Sequence, residues 1–201
     1  MKPKKAILMI IIFLLVFSFT ITSAFAYSLC GYELIGGPDN RQYCVVGASV
    51  TQDGTTVDYG SVASSAVLSW NAINTTSSSD VDVAFSKISG VSGAEIIFMT
   101  TNRGANGWSG FTYYHDANGN YINEGGYPNK NYTYCSVLLN THYLQGRTNQ
   151  RRINVCAHEM GHALGLMHGP SGSLMESGIS SVTTLRKPQA DDIAGVRSIY
   201  E

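Results

Sequence analysis

The sequence predicts an α+β fold. Strand-like segments dominate the first two thirds of the chain after its N-terminal stretch, one helical pattern occurs early among them, and two further helical patterns follow at the end. Strands that come first and helices that come later are typical of an α+β architecture. No internal repeat, phosphate-binding loop or nucleophile elbow interrupts this order.

The first 26 residues have the layout of a secretory signal peptide. Three lysines among residues 2–5 precede the apolar stretch 6–19, and a small-x-small cleavage pattern ends at Ala26. We therefore expect cleavage after Ala26, export and an extracellular location. An uncleaved membrane anchor is the alternative, although the apolar stretch is short for a membrane span.

The remaining residues, 27–201, suit one domain with a sizeable core. The whole chain has 13 Lys and Arg against 14 Asp and Glu, and loss of the three N-terminal lysines leaves the mature part more acidic. Because no basic run or stripe occurs, the charge pattern argues against nucleic acid as a partner. We expect a monomer that does not bind the membrane once the signal peptide is removed.

All four cysteines lie in the mature part: Cys30, Cys44, Cys135 and Cys156. An even count after an export signal predicts two disulfides. Three connectivities are possible, and the pairs Cys30–Cys44 and Cys135–Cys156 are favoured because each closes a local loop. On this basis residues 27–44 form an N-terminal segment that a disulfide could close, and residues 45–201 form the remaining domain. The sequence leaves open whether residues 27–44 are a short propeptide or part of that domain.

Hydrophobic periodicity assigns the individual elements. The alternation of apolar residues with polar ones predicts strands, and apolar residues at a spacing of 3.6 predict helices. The predicted strands are 45–51, 81–88, 94–100, 110–115 and 132–141, and the predicted helices are 61–73, 150–166 and a last one opened by Pro188. Asn149 is the expected N-cap of the second helix, and residues 116–119 are expected to form a hairpin turn.

The second helix carries the residues with the clearest chemistry. His158 and His162 are four residues apart and share one helix face, so both imidazoles can reach one zinc ion. Glu159 follows the first histidine and can accept a proton from a zinc-activated water. Gly165 can adopt the positive φ of a sharp turn, which would bring His168 round as a third ligand. Three protein ligands leave the fourth position that a catalytic zinc site needs.

This pattern is specific, because it fixes five positions in eleven residues. Three of the five histidines of the whole chain fall within it. The alternative, a helix with incidental surface histidines, does not account for that clustering. The spacing H-E-x-x-H-x-x-G-x-x-H resembles that of the metzincin metalloproteases. Met175, which follows His168 by seven residues, is similar to the methionine of their conserved turn.

Within the metzincins the chain most resembles the matrixin catalytic domain. Residues 189–200 resemble its last helix, and residues 85–88 with 94–98 resemble a strand pair that follows its first helix. The resemblance covers residues 45–201. It implies a zincin-like fold, in which a twisted sheet with an antiparallel edge supports an active-site helix and a C-terminal helix.

The resemblance also implies a function. We expect a secreted zinc-dependent endopeptidase that holds one catalytic zinc and uses Glu159 as the general base. A protein or peptide substrate would lie extended along the strand 110–115, and the loop 176–187 would wall a side-chain pocket.

In matrixins, an aspartate of the pair equivalent to Asp191–Asp192 receives the new N-terminal amine after activation. A simple helix N-terminal charge is the other interpretation of this pair.

Some matrixin features are absent from the sequence. No His-Gly-Asp segment of the kind that holds the structural zinc is present, which argues against a second zinc, and no contiguous cysteine-switch sequence precedes the domain. Calcium could bind residues 116–120, but a simple hairpin turn is favoured because the bidentate glutamate of a calcium loop is missing.

Two other functions remain open. The first is a zinc hydrolase of the same architecture that does not cut general proteins, such as an enzyme that acts on peptidoglycan cross-bridges or one that processes itself. The second is a binding module that uses its many tyrosines and has no catalytic role. The presence of Glu159 argues against the second, because a binding module has no need of that carboxylate.

Overall fold

A computed structural model of the chain describes residues 26–75 and 81–201. The predicted signal peptide lies outside these residues except for Ala26. Nine strands are described: β1 (Arg41–Val46), β2 (Ser49–Gln52), β3 (Thr55–Asp58), β4 (Phe85–Lys87), β5 (Ile96–Thr101), β6 (Gly110–His115), β7 (Asn123–Glu124), β8 (Tyr127–Pro128) and β9 (Tyr134–Asn140). Four α-helices are described: α1 (Tyr59–Asn71), α2 (Thr141–Leu144), α3 (Asn149–Ala163) and α4 (Ala190–Tyr200). Among the described helices, none is both long enough and apolar enough to cross a membrane.

The central sheet has five strands in the order β4-β1-β5-β9-β6. β1 runs parallel to β4 and β5, and β5 runs parallel to β9, whereas β6 pairs with β9 in the antiparallel sense. The sheet is therefore parallel in its interior and antiparallel at the β6 edge. Residues 135–140 of β9 are all buried, as expected of a strand covered on both faces.

The helices α1 and α3 pack together against one face of this sheet. The indole of Trp70 in α1 is fully buried, and its Nε1 donates a hydrogen bond to the carbonyl of Ala157 in α3 at 2.8 Å. The side chain of Thr148 caps α3 by accepting from the N–H of Arg151. Asn149, the predicted cap, is instead the first residue of the helix, and the prediction was wrong by one position.

The N-terminal segment packs on the same core as the rest of the chain. Leu34 is completely buried, forms a bridge with Tyr132, and its N–H donates to the hydroxyl of Tyr200 at 3.2 Å. The boundary that we predicted after residue 44 falls inside β1, whose residues Tyr43 and Cys44 are both buried.

The structure corrects the prediction of two disulfides, because all four cysteines are free thiols. Cys44 pairs in register with Ile97 on β5, whereas Cys135 pairs with Ile96. Because adjacent positions along a strand point to opposite faces, Cys44 and Cys135 lie on opposite faces of the sheet. Tyr114, which pairs with Cys135, contacts α3, so Cys44 lies on the face away from this helix. Cys30 lies on the other side of the sheet, where its N–H donates to the carbonyl of Gly165 just beyond α3.

The second predicted pair fails for a different geometric reason. Tyr114 pairs with Cys135 in the sheet, and its hydroxyl reaches the carbonyl of His162, so Cys135 lies on the face of the sheet that meets the end of α3. Cys156 is six residues earlier on the helix, which is about 9 Å at a rise of 1.5 Å per residue. A disulfide bridges Cα atoms that are at most about 7 Å apart.

Candidate active site

The three histidines of the motif come together at the end of α3. His158 and His162 lie one helical turn apart, with ring centroids separated by 4.7 Å. The helix ends at Ala163, and Gly165 has a φ of +94°, which reverses the chain. His168 returns as a result, and its ring centroid lies 5.3 Å from that of His158 and 5.0 Å from that of His162.

The donor atoms of these imidazoles fit a metal ion. One ring nitrogen from each histidine can be chosen so that all three lie within 4.8 Å of one another. The Nδ1 of His158 lies 2.9 Å from the carbonyl of Leu174, and the Nδ1 of His162 lies 2.7 Å from that of Leu166. A carbonyl can only accept, so each Nδ1 carries a proton and each Nε2 keeps a free lone pair. Zinc prefers such neutral imidazole ligands.

Burial keeps the histidines neutral. It lowers the pKa of His158 to about 4 and lowers the pKa of His162 well below its ordinary value, with a further contribution from neighbouring histidines. Burial also lowers the pKa of His168, although this histidine is the most exposed of the three. At neutral pH these residues can bind a cation without first releasing a proton.

Glu159 lies beside this cluster in a buried position. Its side chain passes under β6, where the hydroxyl of Thr112 donates to Oε2 at 2.8 Å. Burial raises the pKa of Glu159 to about 8 in the metal-free protein, and the Thr112 hydrogen bond partly opposes this shift. Gly110 makes the arrangement possible, since a Cβ at that position would lie 2.6 Å from both Cγ and Oε1 of Glu159.

Met175 lies directly against the active-site helix. It is 2% exposed, and its sulfur occupies the space that a side chain at Gly161 would fill, 2.2 Å from an ideal Cβ there. The carbonyl of Met175 also accepts from the N–H of Gly169 at 2.8 Å, one residue after His168. The methionine turn is thereby joined to the segment that carries the third histidine.

The two adjacent aspartates of α4 have different neighbours. Asp192 is 1% exposed and accepts from the N–H groups of Leu174 at 2.8 Å, Met175 at 3.1 Å and Gln189 at 2.7 Å. It therefore holds the methionine turn. Asp191 instead accepts from the backbone N–H of Ala26 at 2.6 Å, so it is the aspartate that lies beside the N-terminal segment.

The histidines and Glu159 open into a cleft of about 350 Å³. One wall is β6, and a second is the tip of the β7–β8 hairpin, where the ring of Tyr127 lies edge-on to His162 with centroids 5.8 Å apart. The third wall contains Val155 and Ile179. Ile179 comes from the predicted loop 176–187, whereas Leu185 of that loop is 49% exposed and does not line the cleft.

Two of the chain's many tyrosines hold the end of α3, a role that the sequence did not predict. The hydroxyl of Tyr114 donates to the carbonyl of His162 at 3.0 Å, and that of Tyr132 donates to the carbonyl of Ala163 at 3.0 Å. Both carbonyls belong to the last turn of the helix, where partners must come from outside it, and that of His162 also accepts from the N–H of Gly165 at 2.9 Å. Alternation in 110–115 places Tyr114 and Thr112 on one face, but only the folded register shows which helix that face meets.

The other candidate metal ligands have partners within the protein. Asp116 accepts from the backbone N–H groups of Asn118 and Asn120, both at 3.0 Å, and from the ammonium of Lys130 at 3.1 Å. This is the hydrogen bonding of a hairpin turn. His115 lies 3.0 Å from the hydroxyl of Ser136 and stacks on Tyr134. The sequence-based views on calcium and on a second zinc stay predictions.

Comparison with known proteins agrees with the motif. The matrixin family model matches residues 59–201. No curated protein sequence matches the chain. Among solved structures, a chain of the "GM1 bound form of the ECX AB5 holotoxin" superposes with a TM-score of 0.53 and 16% identity, with 79% of each chain covered. At this identity the similarity concerns the fold alone. Because the family model spans well over half of the sequence, the chain belongs to the matrixin family of peptidases.

Proposed function

We propose that the chain is a secreted zinc-dependent endopeptidase. The observation that carries this proposal is the placement of three neutral imidazoles within 4.8 Å of one another, beside the buried carboxylate of Glu159 in an open cleft. Membership of a peptidase family supports a metalloprotease in particular. Secretion is supported by the signal-peptide layout of residues 1–26.

The Nε2 atoms of His158 and His162 would hold the zinc ion, together with one ring nitrogen of His168. A bound zinc ion would supply Lewis-acid polarisation of the scissile carbonyl and would acidify the attacking water. The carbonyls of Leu174 and Leu166 fix the two buried rings through their Nδ1 protons, which keeps each Nε2 directed at the same point.

Glu159 would move the proton. It would take one from the attacking water and deliver it to the nitrogen of the leaving amine, so that the peptide bond breaks into a carboxylate and an amine. Burial raises the pKa of Glu159 to about 8 in the metal-free protein, and a nearby cation would favour its ionised form, which supports a role in carrying a proton. Thr112 would fix the direction in which the carboxylate points.

The substrate would lie extended across the cleft and pair with β6. This strand is the edge of the central sheet and lines the cleft with Gly110 and Thr112. An extended peptide can add to such an edge through backbone hydrogen bonds, which give affinity without demanding a particular sequence. A side chain of the substrate would enter the space between Val155 and Ile179, which favours an apolar residue there.

A cleavage assay on the mature protein tests the proposal. Residues 27–201, loaded with zinc, should cut a diverse library of peptides, and a chelator should abolish cutting until zinc is restored. Glu159→Gln should retain zinc but lose at least about a thousandfold in kcat, since it can no longer accept the proton. Glu33→Gln, at a glutamate outside the cleft, should cut like the wild type.

Two results would count against the proposal. If the protein binds no zinc in a metal analysis, the histidine cluster has another role. If zinc binds but Glu159→Gln and the wild type show the same activity, Glu159 is not the proton carrier and the chemistry differs from that proposed.

A further inference from the structure

The edge of β6 offers only part of its length to a substrate. Among the described strands, β9 is the neighbour of β6 on one side, and the other side faces the cleft. The carbonyls of Ser109 and His115 accept from the β9 side, at 2.9 and 2.8 Å. Since backbone groups alternate along a strand, those of Gly110, Thr112 and Tyr114 point to the open edge.

The carboxamide of Asn123 occupies the second half of this edge. The N–H of Tyr114 donates to Oδ1 of Asn123 at 2.8 Å, and Nδ2 of Asn123 donates to the carbonyl of Thr112 at 3.1 Å. A carboxamide has the same donor and acceptor as a peptide group, so the side chain takes the place of a paired strand. The next backbone group, the carbonyl of Tyr114, accepts from the N–H of Ile122 at 3.1 Å.

The first half of the edge is not covered by Asn123. The two hydrogen bonds of Asn123 do not involve the N–H or the carbonyl of Gly110, nor the N–H of Thr112. Gly110 and Thr112 both line the cleft next to Glu159. A substrate strand can therefore pair with β6 as far as Thr112, where the carboxamide stops it.

The hairpin that follows Asn123 builds the wall at that end. Gly125 and Gly126 connect β7 to β8 with φ values of +58° and +93°, as a two-residue hairpin turn requires. The turn places both glycines and Tyr127 on the cleft. While Asn123 holds the hairpin against this edge, substrate residues beyond Thr112 would meet the hairpin and not the backbone of β6.

We propose that Asn123 is a specificity-determining residue that ends the substrate-pairing edge of β6 at Thr112. The inference rests on the proposed peptidase function. Its consequence is an asymmetric dependence on substrate length: added residues should improve cleavage at the Gly110 end of the cleft and have no effect at the Tyr114 end.

A series of peptides with one fixed cleavage sequence tests this. The peptides are lengthened one residue at a time, separately before and after the cut, and kcat/KM is measured with the zinc-loaded protein. The wild type should gain with length at one end and stay within about twofold at the other. In Asn123→Ala the insensitive end should gain about fivefold to tenfold, because two strand hydrogen bonds become available.

Two matched variants separate blocking from a general effect on the fold. Asn131→Ala removes a carboxamide that bonds to Glu33 instead of β6, and should keep the wild-type length profile. Asn123→Asp can still accept from Tyr114 but cannot donate to Thr112, and should open the edge only in part. Thermal unfolding of each variant shows whether it is folded.

Amide exchange gives a readout that does not depend on turnover. The N–H of Tyr114 should exchange slowly in Glu159→Gln and faster when Asn123→Ala is added. A peptide extended at the blocked end should slow the exchange again in the double variant, whereas a short peptide should not.

The outcomes are distinguishable. Equal gains at both ends in the wild type, or an unchanged profile in a folded Asn123→Ala, would overturn the role of Asn123 while the peptidase function stands. If the zinc-loaded wild type cuts no peptide of any length, the proposed function fails and the inference fails with it.

Discussion

The hydroxyl of Thr112 lies 2.8 Å from Oε2 of Glu159 and donates a hydrogen bond to it. The hydroxyl oxygen of Thr112 also lies 3.0 Å from the backbone carbonyl oxygen of Glu159. Both residues are buried, with exposed fractions of 4% and 6%. The edge strand β6 thus holds the side chain of Glu159. One element provides both the proposed substrate edge and the support of the proposed proton carrier.

Replacing Thr112 should lower catalysis without removing the metal. In Thr112→Val the carboxylate loses a hydrogen bond to a charged acceptor, and we expect kcat to fall about tenfold or more with zinc affinity unchanged. Thr112→Ser keeps the hydroxyl and should recover most of kcat. Steady-state kinetics and a zinc titration check both. Equal activity of the valine and serine variants would show that the hydroxyl does not position Glu159.

A methyl group at position 110 should displace Glu159. The Cβ of Gly110→Ala would lie 2.6 Å from Oε1 and Cγ of the glutamate, too close for any rotamer that keeps its present place. We expect a loss of about 1–3 kcal/mol in unfolding free energy and a large loss of kcat. Gly146→Ala is the matched control, since no heavy atom lies within 4 Å of a Cβ there.

Asp192 should support the metal site through the methionine turn. Its carboxylate accepts three N–H groups, and one of them belongs to Leu174, whose carbonyl orients His158. Asp192→Asn would place an amide donor against those N–H groups. We expect about 1–3 kcal/mol of destabilisation and weaker zinc binding, measured by chemical unfolding and metal titration.

The surface variant Asp39→Asn serves as the control for Asp192, because this aspartate is exposed. A variant of Asp192 that binds zinc as tightly as the wild type would show that the turn does not hold His158 in place.

Features set by local spacing were predictable from the sequence. β6 has the predicted bounds 110–115, and the predicted helix 150–166 corresponds to α3 at 149–163. The predicted helix was too long because Leu164 and Leu166 continue the apolar period. The actual helix ends before Gly165, whose φ is positive. The histidines converge because their spacing is local, over eleven residues.

Features set by long-range register were not predictable. Thr112 meets Glu159 across 47 positions, and Asn123 meets the edge of β6 through a hairpin whose fold depends on two glycines. The cysteine pairing was not predictable because an even cysteine count says nothing about which cysteines the fold brings together. Cys135 and Cys156 are fully buried and pack as small apolar residues.

The pH dependence of stability offers a test of Glu159 in the metal-free protein. Burial raises its pKa from the ordinary 4.5 to about 8, so between these pH values the folded state holds a proton that the unfolded chain has lost. Stability should therefore fall as pH rises through this window. The histidines act in the opposite sense, because burial lowers the pKa of His158 to about 4 and that of His162 as well.

The histidine contribution is shared by the wild type and Glu159→Gln, so the difference in unfolding free energy between the two proteins isolates the contribution of Glu159. Between about pH 6 and 7 the unfolded carboxyl is ionised and the folded one is mainly protonated, so this difference should fall as pH rises, with a slope approaching about 1.4 kcal/mol per pH unit, the value for one proton. Glu159→Gln has no carboxyl proton to lose and should follow the histidine contribution alone, which raises the unfolding free energy with pH. Denaturant unfolding of both chelator-treated proteins measures the difference. Parallel profiles would mean that Glu159 is ionised in the folded metal-free protein, in which case its carboxylate must be more hydrated than its burial beneath β6 implies.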